Sequence, residues 1–221
     1  MIRVSELRRE VDIQDLLDLQ DRVIARYGPD RIWVHDRAGL EALFGLGDDF
    51  LALGVRGETG LLAASLSRRT RPGELAPLVP GLPWSDAEGS HIGLNTLSLP
   101  GGAASPLMIR LLHARRARLA ERGIHHLFGG IDPEHPVSLG CAFHAGAVGV
   151  GHLLVEGSVE LLLWHGPGLE GFVPQVRDRS EIRDPARQAR LMRAGLVATG
   201  LDRSDRSTIL FAPLAPQRNA Q

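Results

Sequence analysis

The sequence has no lysine; all 25 of its basic residues are arginine. Chemistry that runs through a lysine Schiff base, or through acylation of the protein's own lysines, is therefore excluded. Cysteine is almost as scarce. Cys141 stands alone, which rules out an internal disulfide and any multi-cysteine metal site and fits a reducing cytoplasm. No charge of one sign dominates: 25 basic residues meet 26 acidic ones, for a formal net charge of −1. That balance gives no general pull toward nucleic acid or an anionic membrane, so neither is expected as a partner. Long apolar runs are missing too, and Met1–Glu6 lacks a charged-then-apolar leader pattern. Nine histidines are present, but none pair at the i, i+4 spacing of a helical zinc site, and no metal is expected. The setting implied is the cytoplasm.

What is present is ordinary globular material: 43% apolar and 23% charged residues over 221 positions, enough to build a core without staples. Ile2–Leu7 alternates like a short strand, and Val11–Tyr27 repeats apolar residues at helical spacing up to Gly28-Pro29. Asp36 is placed to cap a second helix, Arg37–Phe44, which Gly45 stops. Phe50–Val55 and Leu61–Ser67 read as a hairpin, followed by a long Pro-, Gly- and Arg-rich loop, Arg68–Gly89. His91–Leu99 reads as a strand and Pro106–Arg122 as an amphipathic helix with Pro106 at its first position. His125–Ile131 is a further strand, Val137–Ala145 a short helix, and Val148–Val155 with Ser158–Trp164 a final hairpin. The expected division is a domain over 1–165 and an extension over 166–221 that packs on the domain or at a dimer contact. That extension carries one predicted helix, Pro185–Ala198, and an apolar segment, Thr208–Leu214.

The element order over residues 2–164, together with the run Ile131-Asp132-Pro133-Glu134-His135-Pro136-Val137-Ser138-Leu139-Gly140-Cys141-Ala142-Phe143-His144-Ala145-Gly146, resembles the GNAT N-acyltransferase superfamily. The resemblance implies an α/β (α+β) fold with a mixed central sheet and helices on both faces. It also implies an acyl-CoA donor, acetyl-CoA above all, and transfer of the acyl group to a primary amine of a small molecule or peptide by direct attack. Partway along, two parallel strands should splay, His91–Leu99 and His125–Ile131, so that an opened edge can grip the amides of pantetheine. The donor would then meet Leu97, Ser98 and Leu99, one of whose backbone N–H groups polarises the thioester carbonyl. Gly101, Gly102, Ala103, Ala104 and Ser105 would present N–H groups to the pyrophosphate at a helix N-terminus.

Two departures from the family pattern stand out. The pyrophosphate loop reads Pro100-Gly101-Gly102-Ala103-Ala104-Ser105, without the family's leading Arg or Gln, and Ala142 occupies the position of its tyrosine acid. Ser138, with Cys141 and His144 nearby, is a substitute for that acid, though each has a plain structural reading as turn residue, small buried hydrophobe or helix-end residue. His91, at the start of its strand and facing the acceptor entrance, is the first choice of general base, and His135 the second. Asn95 or Thr96 would orient substrate. Arg110, Arg115, Arg116, Arg118 and Arg122 read as the solvated face of their helix, from which Arg110 or Arg115 would reach CoA phosphates or an acidic carrier. Two other readings remain open: a donor presented as acyl pantetheine on an acyl carrier protein, and a non-catalytic GNAT-fold binding or regulatory protein, with homodimerisation possible in either case.

Overall fold

In the computed structural model, which describes residues 3–29, 32–71, 73–75, 89–99, 104–155 and 157–214, the chain forms two compact units. The first comprises Met1–Thr70 and Gly89–Ile124, the second Arg71–Glu88 and His125–Gln221.

In the first unit, β1 (Val4–Glu6), β2 (Phe50–Gly57), β3 (Gly60–Arg69) and β4 (His91–Ser98) follow one another as antiparallel neighbours. Helices α1 (Arg9–Tyr27) and α2 (Arg37–Phe44) cover one face. Asp36 caps α2 by accepting a hydrogen bond from the Gly39 N–H at 2.7 Å. On this face Leu16, Leu19 and Val23 of α1, with Leu40 of α2, close over Ala52, Ala64, Leu66 and Leu97. Residues of β2 that alternate to the opposite face, Leu51, Leu53 and Val55, are also buried, so the strand is apolar without interruption. The third helix, α3 (Ala104–Glu121), lies against β2, β3 and β4. It begins two residues earlier than the sequence suggests, which makes Pro106 its third residue; three donors at a helix start lack intrahelical partners anyway, so proline is tolerated there. Arg122, just past its end, ties the helix down by donating to the carbonyl oxygens of Asp48 and Phe50 and by pairing with Glu6.

The second unit orders its strands β5-β7-β6-β9-β10-β8, with β5 (Leu127–Ile131), β6 (Val148–Val155), β7 (Ser158–His165), β8 (Asp178–Glu181), β9 (Leu196–Leu201) and β10 (Thr208–Pro213). Helices α4 (Pro136–His144) and α5 (Pro185–Arg193) complete it. Its core gathers Phe128, Val148, Leu162, Trp164 and Val197. The tail differs from expectation. The predicted helix Pro185–Ala198 stops at Arg193, because Leu196–Leu201 pairs with β10 and touches β6 at Gly149↔Ala198. Sheet pairing outweighs helical propensity there. Strand β8 has the sequence Asp-Arg-Ser-Glu and no apolar alternation, so periodicity gives no sign of it. Among the described residues no helix is long and apolar enough to cross a membrane, and no three metal-ligating side chains converge.

Candidate functional site

The first unit owes its functional interest to one irregularity in β4. Leu66 pairs with Asn95 and Ser67 with Gly93, which leaves Leu94 as an extra residue. A bulge of this kind bends a strand and redirects the groups beyond it. Past the bulge the pairing continues to Ser98, which lies opposite Ala63. The Leu99 N–H donates to the Leu62 oxygen at 2.8 Å. Backbone groups alternate sides along a strand, so Leu97 also faces β3, whereas the N–H and C=O of Thr96 and Ser98 face away from it. Among Leu97, Ser98 and Leu99, then, Ser98 is the residue with a backbone donor uncommitted to β3. Leu97 is buried, Ser98 and Leu99 half-buried.

Six residues beyond Ser98, α3 starts at Ala104 and has no acidic residue in its first turn. Its dipole is therefore uncompensated at the end that favours anions. Ala104 and Ser105 form the first helical residues; Gly101, Gly102 and Ala103 lie outside the described residues, as does most of the Arg68–Gly89 loop.

His91 is fully buried at the start of β4. Burial, with the nearby Arg69 and Arg122 charges, lowers its pKa to about 4. At neutral pH it is an uncharged imidazole, a weak acceptor for the proton of an ammonium group. Asn95 donates through its side-chain amide to the Trp33 oxygen at 2.8 Å, and the hydroxyls of Thr96 and Ser65 lie 3.1 Å apart. One arginine departs from the solvated face expected of α3. Arg115 is only 6% exposed. It sits four residues from Leu111 and four from Leu119, both buried, and so falls in the middle of the apolar stripe. Burial lowers its pKa to about 10. Its guanidinium rests against Gly93 of β4 and not on the solvated face of the helix. Arg110 is exposed.

In the second unit, His135 and Ser138 come together at the start of α4, as N-cap residue and third helical residue. Both are half-buried. The His135 ring lies 3.8 Å from Asp132, and Asp132 also accepts from the Glu134 N–H at 2.8 Å. Cys141 and Ala142 are buried and His144 is exposed. The Ala142 methyl offers no proton to a leaving group.

A group the sequence does not flag is Glu160 on β7. Its carboxylate lies against Gly130 of β5, where any Cβ would collide with it. Burial first, and the Asp132 charge second, raise its pKa. Only the cross-strand register brings these residues together, which explains why they are invisible along the chain. At the far end of the unit, a polar cleft of about 460 Å³ is lined by Arg179, Glu181, Arg187 and Asp202 among others. Its arginines are engaged locally, Arg187 with Asp178 and Arg179 with Asp202, each at 2.8 Å.

No protein-family model matches the sequence, and no curated protein matches it. Solved structures do match the fold. An aminoglycoside 6'-acetyltransferase type Ii aligns with 74% of this chain and 96% of its own, at 14% identity and a TM-score of 0.55. The PaiA N-acetyltransferase of Thermoplasma acidophilum, solved with coenzyme A, aligns with 75% of this chain and 99% of its own, at 13% identity and a TM-score of 0.55. The ribosomal-protein-S18-alanine N-acetyltransferase of Escherichia coli aligns with 75% and 94%, at 12% identity and a TM-score of 0.52. About a quarter of this chain lies outside each likeness.

Proposed function

With the α/β fold of the GNAT acetyltransferases as the premise, we propose that this protein is an N-acyltransferase that moves an acetyl group from acetyl-CoA to a primary amine. The observation that carries the proposal is the edge of β4 beyond the Leu94 bulge. There Thr96 and Ser98 direct backbone N–H and C=O groups away from β3, and an α3 N-terminus free of acidic residues follows. That arrangement suits an acyl pantetheine: amides pair with the strand edge, and phosphate meets the helix start.

In the reaction the unprotonated amine nitrogen attacks the thioester carbonyl carbon, and the carbonyl oxygen takes up negative charge. The Ser98 N–H is the donor in position to stabilise it. Collapse of the intermediate breaks the C–S bond, leaves an amide, and releases CoA as thiolate. A thiol pKa near ~8.5 makes that thiolate a tolerable leaving group without an acid at Ala142. The ammonium proton passes to solvent or to a carboxylate; with its pKa lowered to about 4, His91 is poorly suited to take it. His135 and Ser138, at the N-cap and third position of α4, are the candidates for orienting the thiol end of the donor.

The second reading, a GNAT-fold protein that binds without turnover, is favoured by the buried Ala142 methyl in place of an acid. One experiment separates the readings. Thermal shifts are measured with acetyl-CoA, CoA and pantetheine, followed by thiol release with amines that include an aminoglycoside and a peptide with N-terminal alanine. Stabilisation by acetyl-CoA together with amine-dependent thiol release supports the enzyme. Stabilisation without release supports the binder. Release only from a loaded acyl carrier protein identifies the donor as carrier-bound pantetheine.

A further inference from the structure

We propose that Arg115, His91 and Ser67 form a binding site for a small inorganic anion of halide size, held between α3 and the β3–β4 pair. The register brings the three groups together. Ser67 lies directly opposite Gly93, and Arg69 opposite His91, so all four residues share one face of the sheet. Gly93 has no side chain, and the space is filled by Arg115: a Cβ on Gly93 would lie 2.9 Å from its Nη1 and 3.2 Å from its Nη2. The guanidinium thus rests over Gly93, on the sheet face that Ser67 and His91 share.

All three side chains are more than nine-tenths buried: His91 and Ser67 are 0% exposed and Arg115 6%. Among the described residues, the Ser67 Oγ, both His91 ring nitrogens and the Arg115 Nε have no hydrogen-bond partner. The Arg115 Nη1 has a single long bond, 3.4 Å, to the Leu66 oxygen. Buried polar groups are satisfied as a rule, and a buried charge calls for a counter-charge. The surrounding charges point the same way. Arg69 and Arg122 act on His91 as cations, and among the described residues Asp49 is the carboxylate whose charge bears on it. Asp49 is itself engaged, 2.5 Å from the Arg69 Nε. The Ser67 hydroxyl, the Arg115 guanidinium and the single N–H of the neutral His91 ring are therefore donors in a positive field, suited to an acceptor with negative charge. A water molecule would satisfy the donors but leave Arg115 uncompensated. The proposal does not depend on acetyl transfer, and its test involves no turnover.

The test uses the full chain in sodium bromide against sodium gluconate, a much bulkier anion, at equal ionic strength. Bromide should raise the Tm saturably, by about 3–6 °C once it exceeds its Kd tenfold. In a crystal grown with bromide, an anomalous peak should lie within hydrogen-bonding distance of the Arg115 guanidinium and the Ser67 Oγ. Arg115→Met should abolish the bromide-specific rise. Ser67→Ala, which removes one hydroxyl and leaves the packing intact, should weaken it severalfold and keeps the test decisive if the arginine variant fails to fold. A water in place of the peak, or a wild-type bromide response in Ser67→Ala, would overturn the proposal.

Discussion

On one face of β2, β3 and β4, helices α1 and α2 close over a mostly apolar surface, Leu16, Leu19 and Leu40 against Ala52, Leu66 and Leu97. On the other face, beside the buried Leu51, Leu53 and Val55 of β2, α3 closes over a line of polar groups on β3 and β4, Ser65, Ser67 and His91, with Arg115 set among its own leucines. The same strands carry both faces, so the contrast lies in which residues alternate to which side. The apolar face gives stability with little specificity of charge. The polar face costs desolvation, and groups of this kind persist where they do something other than pack.

The largest effect expected from breaking the contrast is on the apolar side. Leu19→Ala should lower stability by about 2–5 kcal/mol in urea titration, through lost transfer energy plus a cavity. A loss below ~1 kcal/mol would mean that this face is not close-packed.

Next in size is the acid response of His91. Its pKa falls from 6.5 to about 4 on folding, so as pH drops the unfolded chain takes up the proton first. In halide-free buffer its contribution to stability should therefore decline between pH 6.5 and 4, by about 3 kcal/mol in all, and level off below. His91→Gln should remove that decline. A pH profile unchanged by the substitution would show that His91 is not held neutral.

Arg115→Met comes third. In gluconate it should change stability by no more than about 1 kcal/mol, or raise it, since an apolar side chain of similar length relieves an uncompensated charge. A loss as large as that of Leu19→Ala would erase the distinction between the two faces. The smallest effect is expected at Glu160, whose raised pKa makes the folded state bind its proton more tightly than the unfolded chain. Its charge thus opposes folding at neutral pH, and the penalty fades as pH falls through the folded pKa. Glu160→Gln should raise Tm slightly at pH 7 and have no effect below about pH 4.5, near the ordinary value for the unfolded chain. A lower Tm at pH 7 would point to a cationic partner for the carboxylate.

Elements with strong local signals are legible in the sequence. The helix Arg37–Phe44 with its Asp36 cap, the Phe50–Arg69 hairpin, and the strand beginning at His91 agree with the structure to within a residue or two. Period and punctuation fix such elements locally. The tail is less legible because β8 and β9 exist through pairing with β10, and the pairing partner is distant in sequence from β8. The candidate site is legible only in part. His91 and Ser98 can be placed on their strand from the sequence, but the Leu94 bulge, the burial of Arg115 over Gly93 and the approach of Glu160 to Gly130 are matters of register between strands. The burial of Arg115 itself has a signal in the sequence: its i−4 and i+4 neighbours are Leu111 and Leu119, and that spacing outweighs the run of arginines around it.

The central claim is that the far edge of β4 receives the acyl donor through Thr96 and Ser98. Amide chemical shifts of the full chain, followed by NMR as acetyl-CoA or pantetheine is added, test it most directly. The N–H signals of Thr96 and Ser98 should move in proportion to ligand bound, while those of Leu97 and Leu99, turned toward β3, should move far less. Shifts confined to Leu97 and Leu99, or no shift along β4 when acetyl-CoA binds, would contradict it.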